Sequence, residues 1–300
     1  MPESLIIDTP GLKWHHFDDP EDPELVVLGA HYSLHELTLE DCRTVASRAK
    51  IDDYVDYFFI VLNTPFFVEH QDKLREERLC IFVGNDFTIT VCEGKSTTIE
   101  HAQAVIKKPW IWERTAKDIL YILMDFTCDQ FLPTIDAISD EISELEQTVY
   151  EKPDEEISRR ATSLKKVLTL LRRSATSHRD IITQLLKKHP PIIEGQLNLY
   201  FRDIFDHLMQ ATDLIETDRD LLTGIIDINV SVTAHRTNEI VKTLTIYATA
   251  LLPLNVVTGF FGMNFEKLPF IHETWGVPVV SLLLIVMVAC TSFYFRRREW

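Results

Sequence analysis

Two long uncharged apolar runs near the C-terminal end constrain this chain more than any other feature. Val277 to Phe295 covers 19 positions without a charge, enough to cross a hydrocarbon core of about 30 Å as a helix. Leu244 to Phe261 is also uncharged, but it carries Thr245, Thr249, Asn255 and Thr258. Polar groups that face lipid are costly, so these four are expected to face protein or water. The alternative is a buried hairpin of a soluble protein. Arg296-Arg297-Arg298 ends the second run abruptly and favours the membrane. By the positive-inside rule those arginines put the C-terminal end in the cytoplasm. The linker 262–276 holds only Glu266, Lys267 and Glu273 as charges and is expected outside. Two spans then return the N-terminal part to the cytoplasm. Two helices cannot enclose a pore, so a channel built from this chain must be an oligomer.

The formal net charge over 300 residues is −16. No basic field is available to neutralise phosphates, which argues against nucleic acid as a partner. The charge suits a cation, although an acidic soluble surface would look the same. Cys42, Cys80, Cys92, Cys128 and Cys290 are scattered, with no Cys-x-x-Cys pair, and read as buried thiols in a reducing compartment. Met1 to Pro10 has neither a basic region nor an apolar core, so no secretory leader is expected. No Gly-x-x-x-x-Gly-Lys phosphate loop or nucleophile elbow is present, so neither a nucleotide nor an enzyme activity is expected.

The reading is an α+β membrane protein. Residues 1–112 form a cytoplasmic α/β domain, with strand-like runs at Tyr57–Leu62, Leu79–Val83 and Phe87–Val91. Gly84-Asn85-Asp86 between the last two signals a hairpin. Thr38 reads as the N-cap of a helix, and Trp14-His15-His16 as weakly structured surface or packing. Residues 113–195 form an antiparallel helical hairpin. Ile135, Ile138, Ile142, Leu145 and Val149 step by 3 and 4, and Ala161, Leu164, Leu168, Leu171, Ala175, His178, Ile182 and Leu185 continue after a turn near Pro153. Lys188-His189-Pro190-Pro191 ends it. Residues 196–261 then read as one stalk helix of about 100 Å at 1.5 Å per residue, its membrane part at about 242–261. An external loop 262–276, a second span 277–295 and a basic tail 296–300 complete the chain.

One face of the stalk reads Asp227, Ser231, Ala234, Asn238, Val241, Thr245, Ala248, Leu252, Asn255, Gly259. The period is 3.5, which implies helices packed side by side. Asp227 and two asparagines on that line suit a wet axis, with Val241, Leu244 and Leu252 as apolar constrictions that gate by dewetting. Small and hydroxyl residues also mediate tight dry packing in lipid, and that reading stays open.

Gly262-Met263-Asn264-Phe265 sits between the two spans. With Lys242–Phe261 before it and Trp275-Gly-Val-Pro278 after, it resembles the first membrane helix and signature loop of the CorA family of magnesium transporters. Tyr200–His207 and Leu39-Glu40-Asp41 also resemble CorA segments. The resemblance implies a funnel-shaped homopentamer, multi-pass in the plasma (inner) membrane, with a central pore from the first membrane helix. It implies passive uptake of Mg2+, often also Co2+ or Ni2+, with Gly262, Met263, Asn264 and Glu266 as the selectivity loop. It further implies regulatory divalent sites between cytoplasmic domains. Asp41 and Asp203 match one, with Glu40, Asp125 and His207 nearby, and bound Mg2+ would hold the pore shut.

The sequence departs from the family pattern at Asn255, where threonine is common, and at Phe261, where tyrosine is usual. Leu268-Pro269-Phe270 lacks an acidic residue found in many members, while His272 adds a softer ligand. A member preferring Zn2+ or Co2+ is therefore an alternative. A non-transporting coiled-coil scaffold anchored in the membrane is another.

Overall fold

The computed structural model describes residues 5–9, 11–44, 48–68, 73–107, 115–187, 193, 195–263 and 275–297. It divides into two units, Met1–Asp227 and Ile228–Trp300. Asn264, Glu266 and the Lys188–Pro191 stop signal lie outside the described residues.

The first unit is built on a six-stranded sheet of order β1-β2-β6-β5-β4-β3. The strands are β1 (Leu5–Thr9), β2 (Leu12–Phe17), β3 (Lys50–Asp53), β4 (Phe58–Val68), β5 (Lys73–Val83) and β6 (Phe87–Cys92). Only β2 and β6 run parallel; the other neighbours are antiparallel. β-Branched and aromatic residues dominate β4 and β6, and every position of β6 is buried. Gly84 makes the β5–β6 turn possible: a Cβ there would lie 2.2 Å from the Phe87 ring.

One sheet face carries Phe59, Val61, Cys80, Phe82, Ile89 and Val91. It packs under α1 (Pro23–His31) and α2 (Glu36–Arg43), which contribute Leu25 and Cys42. Burying an aliphatic or aromatic side chain of this size stabilises by about 1.5–3 kcal/mol. α3 (Thr97–Ile106), α4 (Ala116–Asp129), α5 (Phe131–Glu151) and α6 (Glu155–Lys187) form the helical layer. Three hydroxyl contacts pin that layer to β4. Thr64 bonds Thr98 of α3 at 3.3 Å and Thr127 of α4 at 3.2 Å, and Thr134 of α5 donates to the Pro65 carbonyl at 3.2 Å.

The hairpin residues expected to face inward on α5 and α6 are all buried. The turn falls between Glu151 and Glu155, as the proline spacing implies. α4 is separate from that hairpin: it starts with a Thr115–Asp118 capping box and stops at Gln130. Two local expectations are corrected. Trp14-His15-His16 is not weakly structured but part of β2, and the burial of Trp14 and His15 is the packing rather than the surface alternative. The N-cap of α2 is His35 rather than Thr38; His35 Nδ1 accepts the Leu37 N–H, and the Thr38 hydroxyl donates back to the His35 carbonyl at 2.6 Å.

α7 runs unbroken from Gln196 to Phe261, 66 residues. Its N-terminal half docks on the helical layer through Tyr121–Tyr200 ring contact, Ser139–Asp218 at 2.7 Å and Lys165–Thr223 at 2.8 Å. Pro253 lies inside it without ending it. α8 (Gly276–Arg297) is the last helix.

In the second unit the apolar side chains point outward. Leu244 is 67% exposed, Val256 70% and Ile285 66%. α7 and α8 are both long and apolar enough to cross a membrane, and almost none of their apolar stretches is buried within the chain. A continuous apolar surface of this kind needs lipid or another chain to cover it.

Candidate functional site

The polar line on α7 begins with geometry set by its period. Asp227, Ser231, Ala234, Asn238, Val241, Thr245, Ala248, Leu252, Asn255 and Gly259 are all exposed in the single chain. Less exposed positions of the same stretch, among them Ile246, Ala250, Pro253, Leu254, Val257 and Phe261, lie off this line. Each threonine hydroxyl donates to the carbonyl one turn back: Thr245 to Val241 at 2.7 Å, Thr249 to Thr245 at 2.7 Å. A hydroxyl so engaged keeps acceptor lone pairs for water. Leu244, Val241 and Leu252 are exposed as well. Gly262 and Met263 close the helix, with the Gly262 N–H donating to Thr258 O at 2.9 Å.

The proposed metal residues fall in two places. Asp125, Asp203 and His207 converge where α4 meets α7. His207 Nε2 lies 3.9 Å from Asp203 and its Nδ1 lies 3.6 Å from Asp129. Both distances exceed a hydrogen bond, so the ring sits among the carboxylates without being fixed by them. Burial pushes the Asp125 carboxyl up to about 6, and the Asp129 charge adds to this; the Tyr121 hydroxyl and His207 work against it. The cluster is thus short of positive charge, and a cation beside Asp125 would relieve it.

Glu40 and Asp41 lie elsewhere, on α2. Asp41 pairs with Lys50 at 2.7 Å, and Lys50 also reaches Asp52 at 2.6 Å. The Asp41 carbonyl accepts from Arg78. Among the described residues no three His, Cys, Asp or Glu side chains of one chain are placed to hold a metal ion.

Sequence reasoning missed Tyr121 and Asp129. The signal was present, since Tyr121, Asp125 and Asp129 are spaced i, i+4, i+8 and share one helix face.

Comparisons with known proteins bear on this geometry. The family model for CorA-like Mg2+ transporter protein matches residues 10–297. The cobalt/magnesium transport protein CorA of Thermotoga maritima is 32% identical over 280 residues, covering 91% of this chain and 78% of that protein. The complete structure of the CorA magnesium transporter from Methanocaldococcus jannaschii superposes with a TM-score of 0.84 at 25% identity, covering 97% of this chain and 92% of that one. The ZntB cytoplasmic domain from Vibrio parahaemolyticus shares the fold at 15% identity, with a TM-score of 0.61 over 77% of this chain and 90% of that one.

The class is therefore a membrane transport protein for divalent cations. The chain belongs to the CorA-like Mg2+ transporter family.

Proposed function

We propose that five copies of this chain surround the exposed line of α7 and conduct hydrated Mg2+ passively into the cell. The observation that carries this reading is that line: ten positions at a 3.5 period, all exposed, small or polar for the most part, in a chain of a Mg2+-transporter family. Both termini are cytoplasmic and the membrane is the plasma (inner) membrane, as Arg296 and Arg297 at the C-terminal end of α8 support. Residues 1–112 and 113–195 are the cytoplasmic parts, 242–261 and 277–295 the spans, 262–276 the external loop and 296–300 the tail.

Gly262, Met263, Asn264 and Glu266 form the outer selectivity loop. Mg2+ sheds water reluctantly, so neutral Asn264 carbonyls hold the ion through its hydration shell. A dication gains about 4.6 kcal/mol per 100 mV, so no nucleotide is needed. Asn238, Thr245 and Asn255 keep the path wet, while Val241, Leu244 and Leu252 dry it in the closed state. Asp125, Asp203 and His207 of one subunit, with Glu40 and Asp41 of a neighbour, bind regulatory Mg2+. Losing that ion leaves carboxylates opposed and loosens the closed assembly. Co2+ and Ni2+ pass by the same path.

The test is Mg2+ flux into liposomes holding the full-length protein, read with an Mg2+-sensitive dye. The expected result is flux that disappears in Asn264→Ala and falls as Mg2+ on the cytoplasmic-domain side rises. Flux of Zn2+ or Co2+ without Mg2+ would replace the substrate. No flux of any dication would leave a membrane-anchored scaffold.

A further inference from the structure

The five cysteines look scattered in sequence, but the fold brings Cys42 and Cys80 together. Cys42 lies on α2 and Cys80 on β5, and both belong to the core beneath α2. Both cysteines and Arg78 line one space, near enough for each to act on the others electrostatically. The residues are only 6% and 2% exposed. Both nevertheless line a cavity of about 210 Å³, bordered also by Arg43, Glu77 and Arg78. A water molecule needs only about 10–15 Å³ of such space, so a small solute fits beside the sulfurs.

Cys92 borders the same cavity but is engaged elsewhere. Val91, not Cys92, is the register partner of Cys80, so Cys92 takes the other face of the sheet. Its thiol donates to the Gly94 carbonyl at 3.1 Å.

We propose that Cys42 and Cys80 form a peroxide-reactive dithiol site that closes to a disulfide between α2 and β5. The oxidant is hydrogen peroxide. The Cys80 sulfur attacks one peroxide oxygen, the O–O bond breaks, and one water leaves, giving a sulfenic acid. The Arg78 side chain lines the same cavity, and its positive charge favours the negative charge that develops there. The Cys42 sulfur then attacks the Cys80 sulfur, the S–O bond breaks, and a second water leaves with the Cys42 proton. Two thiols lose two electrons and two protons, and the peroxide becomes two waters. A cellular dithiol reverses the step by exchange. The bond ties the helix that carries Glu40 and Asp41 to the centre of the sheet.

The test uses the full-length protein in detergent. It is treated with a modest excess of hydrogen peroxide, its free thiols are alkylated, and it is digested without reductant for peptide mass spectrometry. The expected product is a Cys42–Cys80 linked peptide 2 Da lighter than the sum of its parts. Two of the five thiols are then lost per chain and recovered with dithiothreitol. In Cys42→Ser the reaction should stop at a Cys80 sulfenic acid that dimedone captures. Both thiols remaining alkylatable, a link from either one to Cys92 instead, or dimedone labelling absent from Cys80 in Cys42→Ser would each overturn the proposal. None of these readouts depends on transport.

Discussion

His178 of α6 accepts the backbone N–H of Asn63 on β4 at 3.3 Å through Nε2, inside the seam between helix and sheet. Its Nδ1–H donates to the Ser174 carbonyl at 2.9 Å, and Phe131 meets the ring edge-on at 5.4 Å. The ring is completely buried, so it is neutral and its tautomer is fixed by its two partners. Burial holds its pKa down to about 4, against 6.5 for the free side chain.

That difference makes stability depend on pH. Below 6.5 the unfolded chain takes up a proton that the folded ring refuses until about pH 4. Stability is therefore flat above 6.5 from this source and falls through that window, by about 3 kcal/mol in total. In His178→Leu that component should vanish, leaving a shallower fall between pH 6.5 and 4 to which His15 and His16, also held down by burial, contribute. The variant should also lose about 1–3 kcal/mol at neutral pH, because the Asn63 N–H loses its acceptor. Denaturant unfolding of parent and variant at several pH values decides it; identical slopes would remove His178 as the source.

Gly84 gives a second stability prediction. A Cβ at this position would meet three atoms of the Phe87 ring within 2.7 Å, and that ring stacks on Tyr32 at 4.0 Å. The ring cannot swing aside without disturbing the α1 side of the core. Gly84→Ala should destabilise the first unit by about 1–3 kcal/mol, the usual cost of overpacking. Gly94→Ala is the informative contrast: nothing lies within 4 Å of its Cβ, but its φ of +76 strains an alanine. If Gly84→Ala melts with the parent, the turn has room that its geometry denies.

The helices were more legible in the sequence than the strands. α5, α6 and α7 each bury or expose one face over many turns, so period alone finds them. β2 was missed because it lies inside the sheet: Trp14 and His15 are both buried although they point to opposite faces, so no polar alternation marks it. The α4–α5 break at Gln130 was missed as well, though Pro133 in the first turn of α5 was its signal. For the site, spacing fixes which residues share a face, as with Asp203 and His207. It also puts Tyr121 and Asp129 on the face of Asp125, but it cannot say which other helix that face meets; packing shows that it is α7.

The Asp125 cluster predicts a metal-linked change in stability. Its carboxyl is half-buried beside Asp129 and Asp203, and its raised pKa records the cost of keeping it charged. Asp125→Asn removes that charge and keeps the shape. The variant should melt a few degrees above the parent in EDTA, and added Mg2+ should raise its midpoint by less than it raises the parent's. A Mg2+ increment unchanged by the substitution would take Asp125 out of the regulatory site.

Asn238 and Asn255 separate the wet axis from the dry seam. Both are exposed on the same line of α7, Asn238 just before the span and Asn255 within it. If that line faces water, Asn238→Leu and Asn255→Leu each place an apolar collar where a hydrated dication must pass, and dewetting raises the barrier. Dye-reported Mg2+ flux should then fall to the leak of empty liposomes, with the oligomer unchanged in size. If the line were a packing seam, each leucine would replace a buried amide with apolar packing. The oligomer would then melt higher, with no effect on flux. Measuring both properties on the same preparations distinguishes the two arrangements, because a pore ring and a seam respond to the leucines in opposite ways.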